Sequence, residues 1–228
     1  MRSPAFALAA YTALLAAPSP GSAQEITSPY RFVDEKQTIQ ALFGYVAADE
    51  GTVSLASESA NIFGLRYAYR LAGPFSAVAE AAFFPSTRAV LDLSEDEEPV
   101  REVVGDADFD LAFLHAGLRM DLTGARSFHG LMPYFAVLGG GAFDVSDETP
   151  VEEDVPTENR LDFGTSFSGV FAIGTDYLVG SRLALGVEVR QALWKVETPE
   201  PFILADFGLP QEEWVGNLTF LAGASLRF

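Results

Sequence analysis

The fold class this sequence predicts is all-β: an eight-stranded antiparallel up-and-down transmembrane β-barrel. Three observations predict it. The last stretch, Trp214 to Phe228, alternates with period two. Trp214, Gly216, Leu218, Phe220, Ala222, Ala224, Leu226 and Phe228 form an uncharged set, while Val215, Asn217, Thr219, Leu221, Gly223, Ser225 and Arg227 are largely polar or small. Such alternation makes a strand with two unlike faces, and an apolar face with aromatics at its ends fits lipid outside and a polar lumen inside. Second, about eight such segments are joined by alternately short and long connections. Third, beyond the N-terminal two dozen residues no run is long and apolar enough for a spanning helix, and a closed barrel satisfies every backbone group in lipid without one.

The elements follow in order. Met1 to Ala23 has the three regions of a secretory signal: Arg2, an apolar run from Ala5 to Ala17, and small residues Gly21-Ser22-Ala23 before Gln24. Residues 24–36 form a polar arm containing Pro29, and 37–228 form the barrel. Strand one is Gln37 to Val46, with Ile39, Ala41, Phe43 and Tyr45 on one face. Strand two is Asn61 to Leu71, with Phe63, Leu65, Tyr67, Tyr69 and Leu71 opposite Gly64, Arg66, Ala68 and Arg70. A tight turn, Ala72-Gly73-Pro74, leads to strand three, Phe75 to Phe84, where Glu80 lies on the polar face. Ser86 to Asp108 is expected to be a long acidic loop. Strand four lies within Phe109 to Leu122, and its phase is awkward: Phe109, Leu111 and Phe113 alternate in one register, Leu114, Ala116, Leu118 and Met120 in the other. A β-bulge near Phe113 would reconcile them. Thr123 to Leu131 connects to strand five, Met132 to Phe143, whose Gly139-Gly140-Gly141 run relieves crowding or marks a bend. A second acidic loop spans Asp144 to Asp162. Strand six is Phe163 to Leu178, and the turn Val179-Gly180-Ser181 leads to strand seven, Arg182 to Val196. The last loop is Glu197 to Glu213.

With its final strand ending on the aromatic Phe228, the chain resembles the small bacterial outer-membrane β-barrel proteins, the group of OmpA-like and OmpX-like barrels. The resemblance extends over nearly the whole mature chain; it is specific for architecture and weak for activity. It implies the cell outer membrane as location and outer-membrane lipid as surroundings. The short connections and the N-terminal arm would be periplasmic and the long loops outside the cell. It also implies that Phe228 is the assembly signal read by the barrel-assembly machinery.

Composition narrows the function. A net charge of −18 argues against a nucleic-acid partner, which demands a basic face. Zero cysteine rules out disulfides and thiolate metal sites. Acid concentrates in the loops at Asp92, Glu95, Asp96, Glu97 and Glu98, and at Asp147, Glu148, Glu152, Glu153 and Asp154. Such carboxylates could take divalent cations, but their spacing is not that of an EF-hand, and solvated, self-repelling loops are the favoured reading.

The inward face carries Arg66, Arg70, Glu80, His115, Arg119, Glu188, Arg190 and Arg227. These charges either line a pore or pair with one another and plug the lumen. An eight-stranded barrel is only just wide enough for its side chains, which favours the plug. With the turn centred on Gly73, Arg66 falls opposite Glu80. His115 invites comparison with barrels that deacylate lipid, but no Ser lies two places on, and neither it nor His129 belongs to a Ser–His–acid set. Gly139-Gly140-Gly141 lacks the Lys-Ser/Thr of a phosphate loop. The expectation is a structural or surface-interaction protein without catalysis, cofactor or metal. The alternatives are an adhesin or ligand-binding module using the acidic loops, a lipid-modifying enzyme, and a soluble lipocalin-like barrel.

Overall fold

The computed structural model describes residues 28–49, 51–52, 56–93, 100–204 and 208–228; the signal expected at 1–23 and the acidic run Glu95 to Glu98 lie outside them. Twelve strands occur among the described residues, and eight of them close a barrel. In chain order these are β1 (Tyr30–Phe32), β2 (Gln37–Ala47), β3 (Ala60–Ala72), β4 (Phe75–Phe84), β5 (Thr87–Leu93), β6 (Arg101–Asp108), β7 (Leu111–Asp121), β8 (Arg126–Phe128), β9 (Leu131–Asp144), β10 (Thr165–Leu178), β11 (Leu183–Glu197) and β12 (Glu212–Arg227). The barrel runs β2-β3-β4-β7-β9-β10-β11-β12, every pair antiparallel, and β12 returns to β2 from Leu218↔Ala47 to Arg227↔Thr38. At the seam Phe228 exchanges both backbone hydrogen bonds with Gln37, at 3.0 Å each.

Alternation turns apolar side chains outward on every barrel strand. Leu65, Leu114, Phe171, Ile173, Val187 and Phe220 are all exposed, Ile173 by 61%. So continuous an apolar exterior would be a liability in water and is what a hydrocarbon surrounding requires. Aromatics gather at both margins: Tyr67, Tyr69, Phe75 and Tyr177 towards the short turns, Tyr45, Phe83, Phe167 and Trp214 towards the long loops. No helix among the described residues is long and apolar enough to cross a membrane, which says nothing of a β-barrel.

The inside has two tiers. Towards the turns it is polar and charged. Towards the loops it is apolar, with Val46, Ile62, Phe84, Phe109, Leu111, Phe113, Trp194 and Val215 in one cluster. This layering removes the bulge expected near Phe113. β7 pairs in unbroken register with β4, from Phe84↔Leu111 to Phe75↔Met120, and with β9. Leu111 and Phe113 face inward and Leu114 and Leu118 outward, so the inner face changes chemistry along the strand while the backbone stays regular.

The connections hold more structure than their composition suggested. Ser86 to Asp108, expected as a loop, contains the β5–β6 hairpin. The next loop forms α1 (Pro150–Glu153) and a 3-10 turn (Thr157–Asn159), and the last forms α2 (Glu200–Leu204). They pack as a cap over the open end of the barrel: Phe202 against Leu91, and Val155 against Val90 and Ala107. Glu152 is buried in an ion pair with Arg88, and Asn159 Nδ2 donates to Asp92 Oδ1 at 2.8 Å. Burial holds the Arg88 guanidinium below its usual pKa, with Glu152 beside it opposing the shift. These two acids are structural partners, contrary to the expectation of solvated, self-repelling loops. At the other end, the connector after β7 contains β8 and a two-residue turn, His129-Gly130, with φ of 50° and 85°. Two positive φ values match the primed hairpin turn, and Gly130 supplies the second without steric cost.

Candidate functional site: the charged lumen

The lumen network is assembled from alternate positions on seven strands. On β3 the inward set brings Arg66 opposite Glu80 of β4. Their side chains meet at 2.6 Å, and Arg66 also reaches across the lumen to Glu188 of β11 through both terminal nitrogens, at 2.7 and 2.9 Å. Glu80 is shared, because Arg190 of β11 donates to its other oxygen at 2.5 Å. Tyr134 of β9 donates its hydroxyl to Glu188 at 2.7 Å. Nearer the turns lies a second cluster. Arg119 of β7 donates to Asp121 at 2.8 Å and to Asp176 of β10 at 2.7 Å, and Arg227 of β12 reaches Asp176 at 3.1 Å. The Arg119 guanidinium lies 3.6 Å from the Tyr134 ring centre, so this tyrosine joins the two clusters.

Four guanidinium groups (Arg66, Arg119, Arg190, Arg227) thus face four carboxylates (Glu80, Asp121, Asp176, Glu188), and all eight are buried. A buried ion is costly unless paired and hydrogen-bonded, and the bidentate Arg66–Glu188 contact and the shared Glu80 supply that compensation. The wall yields space for the large members. Inward-facing Gly174 lies against Tyr134, where an added Cβ would stand 2.5 Å from the ring.

Two of the residues expected in the network stand apart from it. Arg70 sits half-buried at the turn end, where its Nη1 donates to the Val33 carbonyl at 2.5 Å. His115 lies at the boundary of the two tiers, its ring stacked on Phe113 and its Nε2 3.0 Å from Ser168 Oγ. Its Nδ1 has no partner, and Glu80, opposite on β4, is engaged by both arginines. A Ser–His pair without an acid to orient the ring lacks the third member of a triad. Sequence reasoning missed Asp121, Asp176 and Tyr134. Asp121 is two residues from Arg119 and so shares its face, and Asp176 is in phase with Ser168, Val170 and Ala172. The period-two rule marks both.

Two small gaps lie among the described side chains of the lumen. A gap of about 20 Å³ opens between Lys36, Arg70, Arg119 and Asp121. Another, of about 10 Å³, lies between His115, Phe113 and Trp194. Each is on the scale of a single water. Among the described residues no group of three or more His, Asp or Glu could hold a metal ion.

A closed antiparallel barrel of eight strands, apolar outside and packed with paired charge inside, has the fold of the small outer-membrane barrels. Comparison with solved structures gives the following likenesses. The outer-membrane protein OprG of Pseudomonas aeruginosa superposes with a TM-score of 0.53 at 14% identity, over 89% of this chain and 99% of that one. The N-terminal barrel domain of OprF from the same organism gives 0.45 at 11% identity, over 85% and 98%. Ail of Yersinia pestis, crystallised with a heparin analogue, gives 0.39 at 13%, over 85% and 99%. The likeness to OprG, at 14% identity, is one of fold alone. No family model matches the chain, and no curated protein matches its sequence.

Proposed function

We propose that this protein is a resident of the cell outer membrane, an occluded barrel with a structural and surface-presenting role and no catalysis. The turn end lies in the periplasm and the capped loop end outside. The paired lumen carries this reading: four arginines and four carboxylates fill the width of the barrel, an apolar tier lies above them, and a packed cap covers both. Planar bilayer recording of the purified barrel should give no steady conductance. A large, steady open pore in the wild-type protein overturns the occluded reading. A surface-interaction role is favoured by the β5–β6 hairpin, which presents Val103 (67% exposed) and Val104 on an edge strand beyond the barrel.

In the same reading Phe228 is the assembly signal for the barrel-assembly machinery. Because its backbone pairs with Gln37, deletion would remove two hydrogen bonds along with the ring; substitution isolates the ring. Phe228→Asp should reduce folded protein in cellular outer membranes severalfold. Refolded in detergent, the variant should lose only about 0–1 kcal/mol, the cost of an acid near the interface. Normal levels in cells would remove Phe228 from that role.

A further inference from the structure

The N-terminal arm is more than a lead-in. β1 pairs with β8 from Tyr30↔Phe128 to Phe32↔Arg126, and β8 turns through His129-Gly130 into β9 with Phe128 opposite Leu131. Leu131 belongs to the outward, lipid-facing set of β9. Directly paired residues share a face, as do residues two apart. Leu131, Phe128, Arg126, Tyr30 and Phe32 therefore continue one face of the barrel wall beyond its eight strands. All of them are exposed. Tyr30 and Phe128 pack with ring centres 5.3 Å apart, and the Arg126 guanidinium lies 4.4 Å from the Phe32 ring centre. No carboxylate among the described residues pairs with Arg126. The opposite face of the ribbon is anchored at two points: Ser127 is fully buried, and Val33 packs with Met132, Leu178 and Ala184, while Arg31 on that face is exposed. The ribbon is thus anchored on one side, with three aromatics and one unpaired cation facing outward as a continuation of the wall.

We infer that the β1–β8 ribbon is a phospholipid-headgroup clasp, in which Tyr30, Phe32 and Phe128 enter the interface of the turn-side leaflet and Arg126 holds a headgroup phosphate. Continuity with the lipid-facing wall identifies the occupant as lipid. Aromatic rings with one apolar and one wet side favour that depth, and a guanidinium on a ring keeps its other donors free for phosphate oxygens. The inference rests on the barrel lying in a bilayer as proposed above.

The chain has no cysteine, so one introduced thiol carries a unique label. Full mature chain would be refolded into vesicles of phosphatidylcholine brominated near the headgroup, with an environment-sensitive fluorophore at Tyr30→Cys, Phe128→Cys, Arg31→Cys or Ile173→Cys, folding of each being checked by gel shift. Bromine should quench the labels at 30 and 128 about threefold more than the label at 31, which faces away from the lipid. The label at 173 reports the barrel wall itself. Quenching at 173 with equal values at 30, 31 and 128 overturns the clasp and leaves the barrel reading standing. Absence of quenching at all four positions overturns both. Arg126→Ala should lower quenching at 30 towards the value at 31, with Arg126→Lys retaining most of it; no change in Arg126→Ala removes the phosphate contact. Quenching that rises with protein-to-lipid ratio in the absence of bromine assigns the face to a second copy of the chain and also overturns the inference.

Discussion

Glu80→Ala should destabilise the barrel by about 3–5 kcal/mol, the cost of removing one partner from a buried ion pair. The loss falls unevenly. Arg66 retains its bidentate contact with Glu188, whereas Arg190 is left with Glu188 at 3.9 Å as its nearest carboxylate. Double-mutant cycles in lipid vesicles should therefore give a larger coupling for Glu80 with Arg190 than with Arg66, within the range of about 0.5–3 kcal/mol seen for residues in one network. Removing Arg190 as well should recover part of the loss, since no charge is then stranded at that point. A Glu80→Ala barrel whose urea midpoint in vesicles is unchanged would mean that water already solvates the site. The dry, paired lumen would then be the wrong description.

Gly140→Ala should be as damaging as any single methyl added to this chain, while Gly139→Ala should be nearly silent. Gly140 faces inward, and a Cβ there would lie 1.9 Å from the Leu114 carbonyl oxygen and 2.9 Å from the His115 Cα. Both are backbone atoms of β7, so β7 and β9 would have to separate where their ladder is continuous. Overpacking costs about 1–3 kcal/mol where side chains can adjust, and here the backbone itself obstructs, so the loss should reach the upper end of that range or beyond. Gly139 faces outward, and its added Cβ would touch the Phe167 ring at 3.6 Å, an ordinary contact. Loss of the wider Gly freedom in the unfolded chain could even stabilise that variant by about 0.4–1 kcal/mol. The fraction resisting unfolding on unboiled gels, together with urea midpoints, separates the two. Equal behaviour of the neighbouring variants would remove the close approach of β7 and β9 as the reason for glycine at 140.

Much of the barrel was legible because a strand between lipid and lumen must alternate, and alternation survives in one sequence without any relative to compare. The boundaries of β4 follow directly from Phe75 and Phe84, whereas β12 begins two residues before Trp214 and ends one before Phe228. The bulge expected near Phe113 failed for a specific reason: the inner face was assumed polar along its whole length, so inward-facing Leu111 and Phe113 looked out of phase. The cap was not legible at all. Leu91 meets Phe202 in one small cluster and Val155 meets Val90 and Ala107 in another, and these residues come from three separate loops without periodicity. The network was half legible, since Arg66 and Glu80 face each other across a tight turn, while the contacts of Glu188 and Asp176 cross the lumen between distant strands.

That wide separation governs how the barrel can come into being. Arg66 and Glu188 are 122 positions apart in sequence, and Glu80 and Arg190 are 110 apart. A nascent sheet ending before β11 would carry Arg66 and Glu80 joined to each other, with their second partners still unmade. Such a sheet would have a wet, charged concave side and an unpaired β2 edge, and so no reason to enter hydrocarbon. Insertion and closure are therefore coupled. The lipid-compatible form is reached only when β12 meets β2, and the lumen charges act as a checkpoint that penalises every incomplete sheet on the way.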